Sequence, residues 1–594
     1  MYFTEIFGRS VPNIMKVMQP LFLDELHEEF EKVKTSKKKL QELINRIANL
    51  KIFDPACGSG NFLIIAYKEL RRLEMKILKA IDDLSSQKSF AFSEIKLTQF
   101  YGIELDDFAH EVAILSLWLA EHQMNLEFYK AFGRTAPSLP LHDGGNIVHG
   151  NATRIDWESV CPKENGDEIY ILGNPPYLGS SMQNKEQKED MLYVLSNKLE
   201  TYKNLDYIAC WFIKASDFIQ GVNSRYAFVS TNSITQGEQV DLLWPYIFST
   251  NEEIDFAYTS FKWQNNAKAK AAVIVCIIGV RNNIPKIKKL ITGNIVKSVS
   301  NISPYLITGS NITIQRNNKS ISKLPDLVRG SMPTDDGNFI LTIDEKNKLL
   351  EEYPSTAKFV KQYMSGGDFL NAKERWCLWI IDNDLREAEE CDFIKKRLEA
   401  VYEFRMKSKA PSTVEYAKYY NRFRQISYKE TPCIVIPLTS SERRKYIPCS
   451  FLSNPTVVTN SAGVIYNAEA WIMGVLSSHM HMVWMRVIAG RLKTDYRYSS
   501  ALVYNNFPFP NITDKQKEDL TELVFTILDE REQHSEKTLA ELYDPDKMPQ
   551  GLKEAHHQLD LAIEKCYRNK PFESDEERLE YLFKLYEEMI KDKK

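Results

Sequence analysis

The stretch Lys51-Ile52-Phe53-Asp54-Pro55-Ala56-Cys57-Gly58-Ser59-Gly60-Asn61-Phe62-Leu63 constrains the fold more than any other part of this 594-residue chain. An apolar run stops at Asp54-Pro55 and two glycines follow. Apolar residues then recur at Ile64, Ala66, Leu70 and Leu73 with roughly helical spacing. Strand, glycine turn and helix in that order predict an open α/β sheet. Gly58 and Gly60 let the backbone close on a ligand, and the helix start leaves N–H groups free to meet it. The stretch is neither a GxGxxG fingerprint nor a phosphate-binding P-loop.

Three more strand ends follow. Phe100-Tyr101-Gly102-Ile103-Glu104 ends in an acid, and an acid after the second strand of a doubly wound sheet can hold a ribose diol. Gly150-Asn151-Ala152 offers Asn151 to an adenine edge, with Asp156 as the alternative. Ile169-Tyr170-Ile171-Leu172 runs into Gly173-Asn174-Pro175-Pro176-Tyr177. Four strand ends in this order predict one nucleotide-cofactor site. Asp54, placed before the glycines, suits a cationic ligand such as S-adenosylmethionine, with Ala56, Gly58, Gly60, Asn61 and Phe62 around the turn. Cys57 reads as a small turn residue, not a nucleophile.

The Asn174-Pro175-Pro176-Tyr177 quartet has a specific chemical use. An exocyclic base amine is a poor nucleophile because its lone pair is delocalised into the ring. The Asn174 oxygen and the Pro175 carbonyl can accept hydrogen bonds from that amine, and proline holds the carbonyl rigidly. Tyr177 can stack on a base taken out of a duplex. A tight turn alone would explain an isolated quartet; the upstream strand ends are what weigh against that. In Ser260-Phe261-Lys262-Trp263, Trp263 is the favoured second wall, with Phe261 kept open.

With these motifs the chain resembles the gamma-order S-adenosylmethionine-dependent amino-methyltransferases of DNA, and within them the methyltransferase part of MmeI-type (type IIL) restriction-modification enzymes. The matching stretches are FDPACGSGNFLIIAYKELRRLE, YGIELDDFAHEVAILSLWLAEHQMN, GNATRIDW, GNPPYLGSSMQ, FKWQNNAKAKAAVIV, SSERRKYIP and AGRLKTDYRYSSALVYNNFPFP. The resemblance implies methylation of adenine N6 in duplex DNA by base flipping, in a restriction-modification or phage-defence setting, with a separate nuclease or defence subunit as a further partner. It also implies that Asn174 touches the cofactor. Asn151 stands where many relatives of the wider class carry Asp. MmeI-type enzymes have an N-terminal nuclease and a helical connector. This sequence starts near Pro12-Asn13-Ile14-Met15-Lys16-Val17, like the first methyltransferase motif, so the chain alone is expected to modify DNA without cutting it.

Other chemistries fit less well. Cytosine-C5 methylation needs a thiolate, and Pro432-Cys433 and Pro448-Cys449 read as structural. Cytosine-N4 enzymes more often carry Ser in place of Asn174. Enzymes that methylate a glutamine amide also use Asn-Pro-Pro-Tyr, but they lack the late matching stretches. A non-catalytic DNA-recognition subunit would not need the intact quartet.

Net charge is −4 and gives no sign of a nucleic-acid partner, but its distribution does. Residues 281–330 hold nine Lys/Arg against one acid, and 401–450 hold ten against four. Basic tracts are the footprint of phosphate contacts. Arg422 and Arg424 are candidate base readers, since Arg is the commonest reader of guanine. Arg443, Arg444 and Lys445 are candidate phosphate contacts, and Arg491, Lys493, Tyr496 and Arg497 are further candidates. Nine cysteines without a CxxC pair suggest neither a disulfide framework nor a metal site. No signal peptide or membrane-length apolar run is present, so a cytoplasmic protein is expected. The expected organisation is a helical part at 1–50, a Rossmann-like α/β catalytic domain at 51–281, a mixed α+β target-recognition domain at 282–510, and a helical tail at 511–594. Glu469 to Ile488 reads as one helix.

Overall fold

The structure is a computed structural model that describes residues 11–85, 92–133, 145–263, 273–453, 455–492 and 494–591. The chain forms two compact units, residues 1–313 and 314–594.

The first unit opens with α1 (Val11–Met18), α2 (Asp24–Val33) and α3 (Lys37–Ala48). A π-helical turn over Gln19–Leu23 carries Pro20 between the first two, where proline's missing N–H disrupts the α ladder. The sheet follows: β1 (Lys51–Asp54), α4 (Asn61–Asp83), β2 (Phe100–Glu104), α5 (Asp107–Phe132), β3 (Asn146–His149), β4 (Glu168–Gly173), α6 (Lys185–Leu195), α7 (Ala209–Phe218), β5 (Asn223–Thr231), α8 (Glu238–Ser249), β6 (Glu252–Trp263), β7 (Val273–Asn282), β8 (Lys288–Thr292) and β9 (Ile295–Val299).

These strands make one nine-stranded sheet in the order β3-β2-β1-β4-β5-β7-β6-β8-β9. β3, β2, β1, β4 and β5 are parallel. β7 runs antiparallel to both β5 and β6, and β8 and β9 extend the sheet beyond β6. The chain order reverses between β1 and β4, and open α/β sheets leave their ligand crevice at such a switch, outside the strand C-termini.

Strand alternation explains the three layers. Ile52 and Leu172 share one buried cluster with residues of α1, α3, α4 and α5. Phe53, the next residue of β1, points the other way, against Trp157 and Phe218. Tyr226 and Phe228 meet Phe212 on that second face, and Phe212 meets Trp244. A sheet covered on both faces needs near-continuous apolar strands, as β4 and β5 have.

The second unit contains β10 (Leu327–Arg329), β11 (Ile340–Leu341), α9 (Ile343–Glu352), β12 (Val360–Met364), β13 (Arg375–Leu378), α10 (Asp392–Met406), β14 (Cys433–Pro437), β15 (Thr439–Ser440), β16 (Ser450–Leu452), β17 (Thr456–Val458) and β18 (Ala462–Tyr466). Then come α11 (Ala470–Leu476), α12 (His479–Ile488), β19 (Gly490–Leu492), β20 (Asp495–Arg497) and the C-terminal helices α13 (Asp514–Glu532), α14 (Gln550–Tyr567) and α15 (Asp575–Lys591). The strands form three small sheets, β10-β18-β14-β16, β11-β13-β12-β17 and β15-β20-β19. The expected Glu469–Ile488 helix is two helices. Ser477 turns its hydroxyl back onto the Met473 carbonyl at 2.9 Å, and Ser478 caps α12 by accepting the His481 N–H. Paired serines compete with the helical ladder and start a new helix well. Among the described residues no helix is long and apolar enough to cross a membrane.

Candidate active site

The C-terminal ends of β1, β2 and β4 supply the site. Asp54 ends β1 and is 1% exposed. Its Oδ1 accepts the Ala56 N–H at 3.0 Å, while Oδ2 is buried with no partner. Burial pushes its carboxyl up to about 8, with the Glu104 charge adding to the effect against the Ala56 hydrogen bond. An idle, buried carboxylate oxygen invites a cationic donor.

The turn after Asp54 is held from two sides, by Glu104 and by Trp211. Gly58 and Gly60 have φ of +53° and +80°, which side-chain-bearing residues adopt only with strain. The Gly58 N–H donates to Glu104 Oε2 at 2.7 Å, and Glu104 Oε1 accepts the Asp106 N–H at 2.9 Å. Glu104 thus clamps the turn to the end of β2 and keeps further lone pairs for a diol. From α7, Trp211 Nε1 donates to the Pro55 carbonyl at 3.1 Å. No motif pointed to Trp211. Cys57 is buried, and burial beside Asp54 and Glu104 drives its thiol well up, so it is no nucleophile.

β4 brings Asn174 beside this turn. A Cβ on Gly173 would stand 2.5 Å from Asp54 Oδ1, so the two strand ends touch there. Asn174 Oδ1 is itself buried without a partner. Two unpaired acceptors on adjacent strands fit a cationic cofactor and an amine brought together.

After Tyr177 the chain is tied down. The Leu178 N–H donates to Asp206 Oδ1 at 2.8 Å, and the Tyr207 N–H donates to the Leu178 carbonyl at 3.0 Å. Gln183 Nε2 bridges the Leu178 and Leu205 carbonyls at 3.0 Å each. Asp206 is buried, which raises its carboxyl, and its charge adds to burial in raising the Tyr177 phenol.

Asn151 differs from expectation. Its oxygen accepts the Thr153 N–H at 2.9 Å and the Thr153 hydroxyl at 2.7 Å, and its Nδ2 donates to Asp190 Oδ2 at 3.0 Å. Its amide oxygen is thus committed to its own loop. Asp190 also takes hydrogen bonds from Tyr207 at 2.7 Å and Arg154 at 2.6 Å. Burial raises the Asp190 carboxyl, but these donors outweigh it and hold the group low. Asp156 caps the one-turn helix Trp157–Val160. Trp263 is 8% exposed and belongs to the buried cluster, whereas Phe261 is half-buried with the Lys16 ammonium 4.2 Å from its ring centre. Phe261 is therefore the more open ring.

In the second unit, β15 pairs with β20 and β20 with β19, so the loop carrying Arg443, Arg444 and Lys445 leaves the hairpin that carries Arg491 and Arg497. Lys445 and Arg497 are exposed. Arg443 pairs with Asp546. Arg491 stacks over Tyr496 at 3.9 Å and stands 3.6 Å from Glu442. Arg444 is half-buried, and that burial lowers its guanidinium. Arg422 and Arg424 are not part of that loop-and-hairpin cluster. Arg422 forms an ion pair with Asp382 and lines a cleft of about 380 Å³ with Trp379, Asn421 and Ile426; Arg424 donates to Ser412 at 2.8 Å. Lys493 lies outside the described residues. Cys433 and Cys449 are buried, and burial pushes each thiol up to about 11, as structural cysteines require.

The sheet order and the strand-end residues define a methyltransferase-type α/β domain. The chain belongs to the MmeI family: residues 30–292 match the MmeI DNA-methyltransferase domain, 308–511 the MmeI target recognition domain, and 512–593 the MmeI C-terminal domain. It is 47% identical to DNA methyltransferase A of Bacillus subtilis over 98% of this chain. It spans 66% of that relative's length. The solved structure of the type IIL restriction-modification enzyme MmeI in complex with DNA superposes with a TM-score of 0.87 at 41% identity, over 98% of this chain and 78% of that one. A putative type II restriction enzyme and methyltransferase of Methanocaldococcus jannaschii is 39% identical over 30% of this chain and 16% of its own.

Proposed function

We propose that this chain is a site-specific DNA methyltransferase that moves a methyl group from S-adenosylmethionine to the N6 amine of adenine in duplex DNA. The observation that carries this function is the pair of idle buried acceptors, Asp54 Oδ2 and Asn174 Oδ1, on touching strand ends at the topological switch. Family membership and the basic tract at 401–450 of the second unit support DNA as the substrate.

S-adenosylmethionine supplies an electrophilic methyl group when bound. Asp54 meets its amino group, Glu104 its ribose hydroxyls, and the Ala56–Phe62 turn its remaining backbone contacts. Asn174 Oδ1 and the Pro175 carbonyl accept the two N–H groups of the target amine. They draw its nitrogen towards sp3 geometry and expose the lone pair. Pro176 stiffens the loop. Tyr177 stacks on the extruded adenine, and Phe261, backed by Trp263, closes the other side. Arg443, Arg444, Lys445, Arg491 and Arg497 hold phosphates, while Arg422 and Arg424 reach bases.

Methylation-aware sequencing of DNA from a host expressing this chain tests the proposal. N6-methyladenine confined to one short motif is expected. N4-methylcytosine at such a motif would move the target to cytosine, and methyl transfer to protein alone would discard DNA as substrate.

A further inference from the structure

Two hydrogen-bonded links join the loop after Tyr177 to the strand bearing Phe261. Asp206 accepts the Leu178 N–H at 2.8 Å through Oδ1 and the Ser233 hydroxyl at 3.2 Å through Oδ2. The Ile208 N–H reaches the same Oδ1 at 3.3 Å. Ser233 shares a 2.6 Å bond with Thr231, the last residue of β5. The intervening residue, Asn232, donates from Nδ2 to Ser260 Oγ at 2.6 Å. Ser260 sits where the β6–β7 register slips between Tyr258 and Phe261. Such an irregularity re-aims the side chains beyond it. The Asn232–Thr235 turn is fixed from behind by Trp244 Nε1, which donates to the Ile234 carbonyl at 2.7 Å.

The span therefore runs from Leu178 through Asp206, Ser233 and Asn232 to Ser260. Tyr177 precedes one end of it and Phe261 follows the other. Neither Asp206 nor Asn232 belongs to a strand-end motif. Asp206 is 3% exposed, a costly place for a carboxylate unless it holds something in place. Asn232 Oδ1 is buried without a partner, so only the amide's nitrogen is used, and it is used on Ser260.

We propose that Asp206 and Asn232 are positioning residues that fix the spacing between Tyr177 and Phe261 and so set the grip on the extruded base. This rests on the function proposed above, which assigns those rings to the base. A base held between walls of the wrong separation still enters the site, but its amine drifts from Asn174. A displacement of about 1 Å can cost roughly 100-fold in rate. The span therefore acts on turnover more than on DNA affinity.

The test compares Asn232→Ala, Ser260→Ala and Asp206→Asn with the parent chain. Ser260 is exposed, so its variant keeps the fold whatever happens to the other two. Steady-state methylation of a duplex gives kcat and KM, and 2-aminopurine at the target position reports the stacking of the extruded base. The expected result is a kcat lower by about tenfold or more for Asn232→Ala and Asp206→Asn, and by several-fold for Ser260→Ala, each with KM for DNA within about twofold. The 2-aminopurine signal of each complex should rise as the grip loosens. Asn232→Ala and Ser260→Ala turning over within twofold of the parent, with unchanged fluorescence, would overturn the proposal. A parent chain that transfers no methyl group to DNA overturns the function instead, so the two failures are told apart.

Discussion

Gly173 and Asp54 meet edge to edge: the place a Cβ would occupy on Gly173 lies 2.5 Å from Asp54 Oδ1. One strand end carries Asp54 and the other leads into Asn174, the two residues proposed to meet the cofactor and the target amine. The contact between the strand ends leaves no room for even a methyl group. Gly173→Ala should push the Asp54 carboxylate aside and weaken S-adenosylmethionine binding by at least tenfold, with about 1–3 kcal/mol lost in stability from overpacking. Calorimetric titration and thermal melting read the two effects separately.

Asp54 also predicts a pH dependence. Its carboxyl is pushed up to about 8, so in the ligand-free protein it is mostly protonated below that pH. A cationic amine binds the ionised form. Cofactor affinity should therefore rise from pH 6 towards 8, with a proton released on binding, and fall again once the ligand's own amine loses its charge. For stability the sign is opposite. The folded value is raised from the ordinary 3.8, so this group's contribution is complete below that value and is lost as pH rises through about 8. Asp54→Asn should flatten both profiles, and a retained slope in both would exclude Asp54 as their source.

Asn174→Ala removes an acceptor without filling space. It should lower kcat by roughly 100- to 1,000-fold, the usual effect of losing one transition-state hydrogen bond. The melting temperature should hold. Wild-type turnover by this variant would remove Asn174 from the mechanism.

Trp211 reaches the Pro55 carbonyl at 3.1 Å. Trp211→Phe keeps most of the packing but leaves that carbonyl unpaired, at about 1–3 kcal/mol. Several-fold weaker cofactor binding, with DNA affinity unchanged in the absence of cofactor, is the expected pattern.

Arg497 is exposed on β20. Arg497→Ala should weaken binding to specific and random duplexes alike and reduce the salt slope of binding by about one. Loss confined to the specific duplex would make Arg497 a base reader instead.

The sequence carried the sheet and the strand ends because each is local. Asp54, the glycine turn, Glu104 and Asn174 all sit within a few residues of the strands that place them. What holds them in place was not legible. Trp211, Asp206 and Gln183 act through space on Pro55 and Leu178, and no spacing rule links residues on different elements. Asn151 looked available because its loop partners, Thr153 and Asp190, were not visible as partners. Arg422 stood in a basic aromatic stretch, but its counter-ion Asp382 lies on another element. The break at Ser477-Ser478 was written locally, but the apolar residues on either side read as one continuous helix.

The reversal of strand order has a consequence for how the protein matures. Lys51 of β1 pairs with Ile169 of β4, so the centre of the sheet closes only when two distant stretches of chain find each other. Local contacts in α4 and α5 can form first, but they leave Asp54 without its neighbour. Pairing so far apart in sequence slows folding. Binding competence and closure of the sheet must then arrive in one event, so a refolding chain should gain cofactor affinity at the same rate as it buries β4.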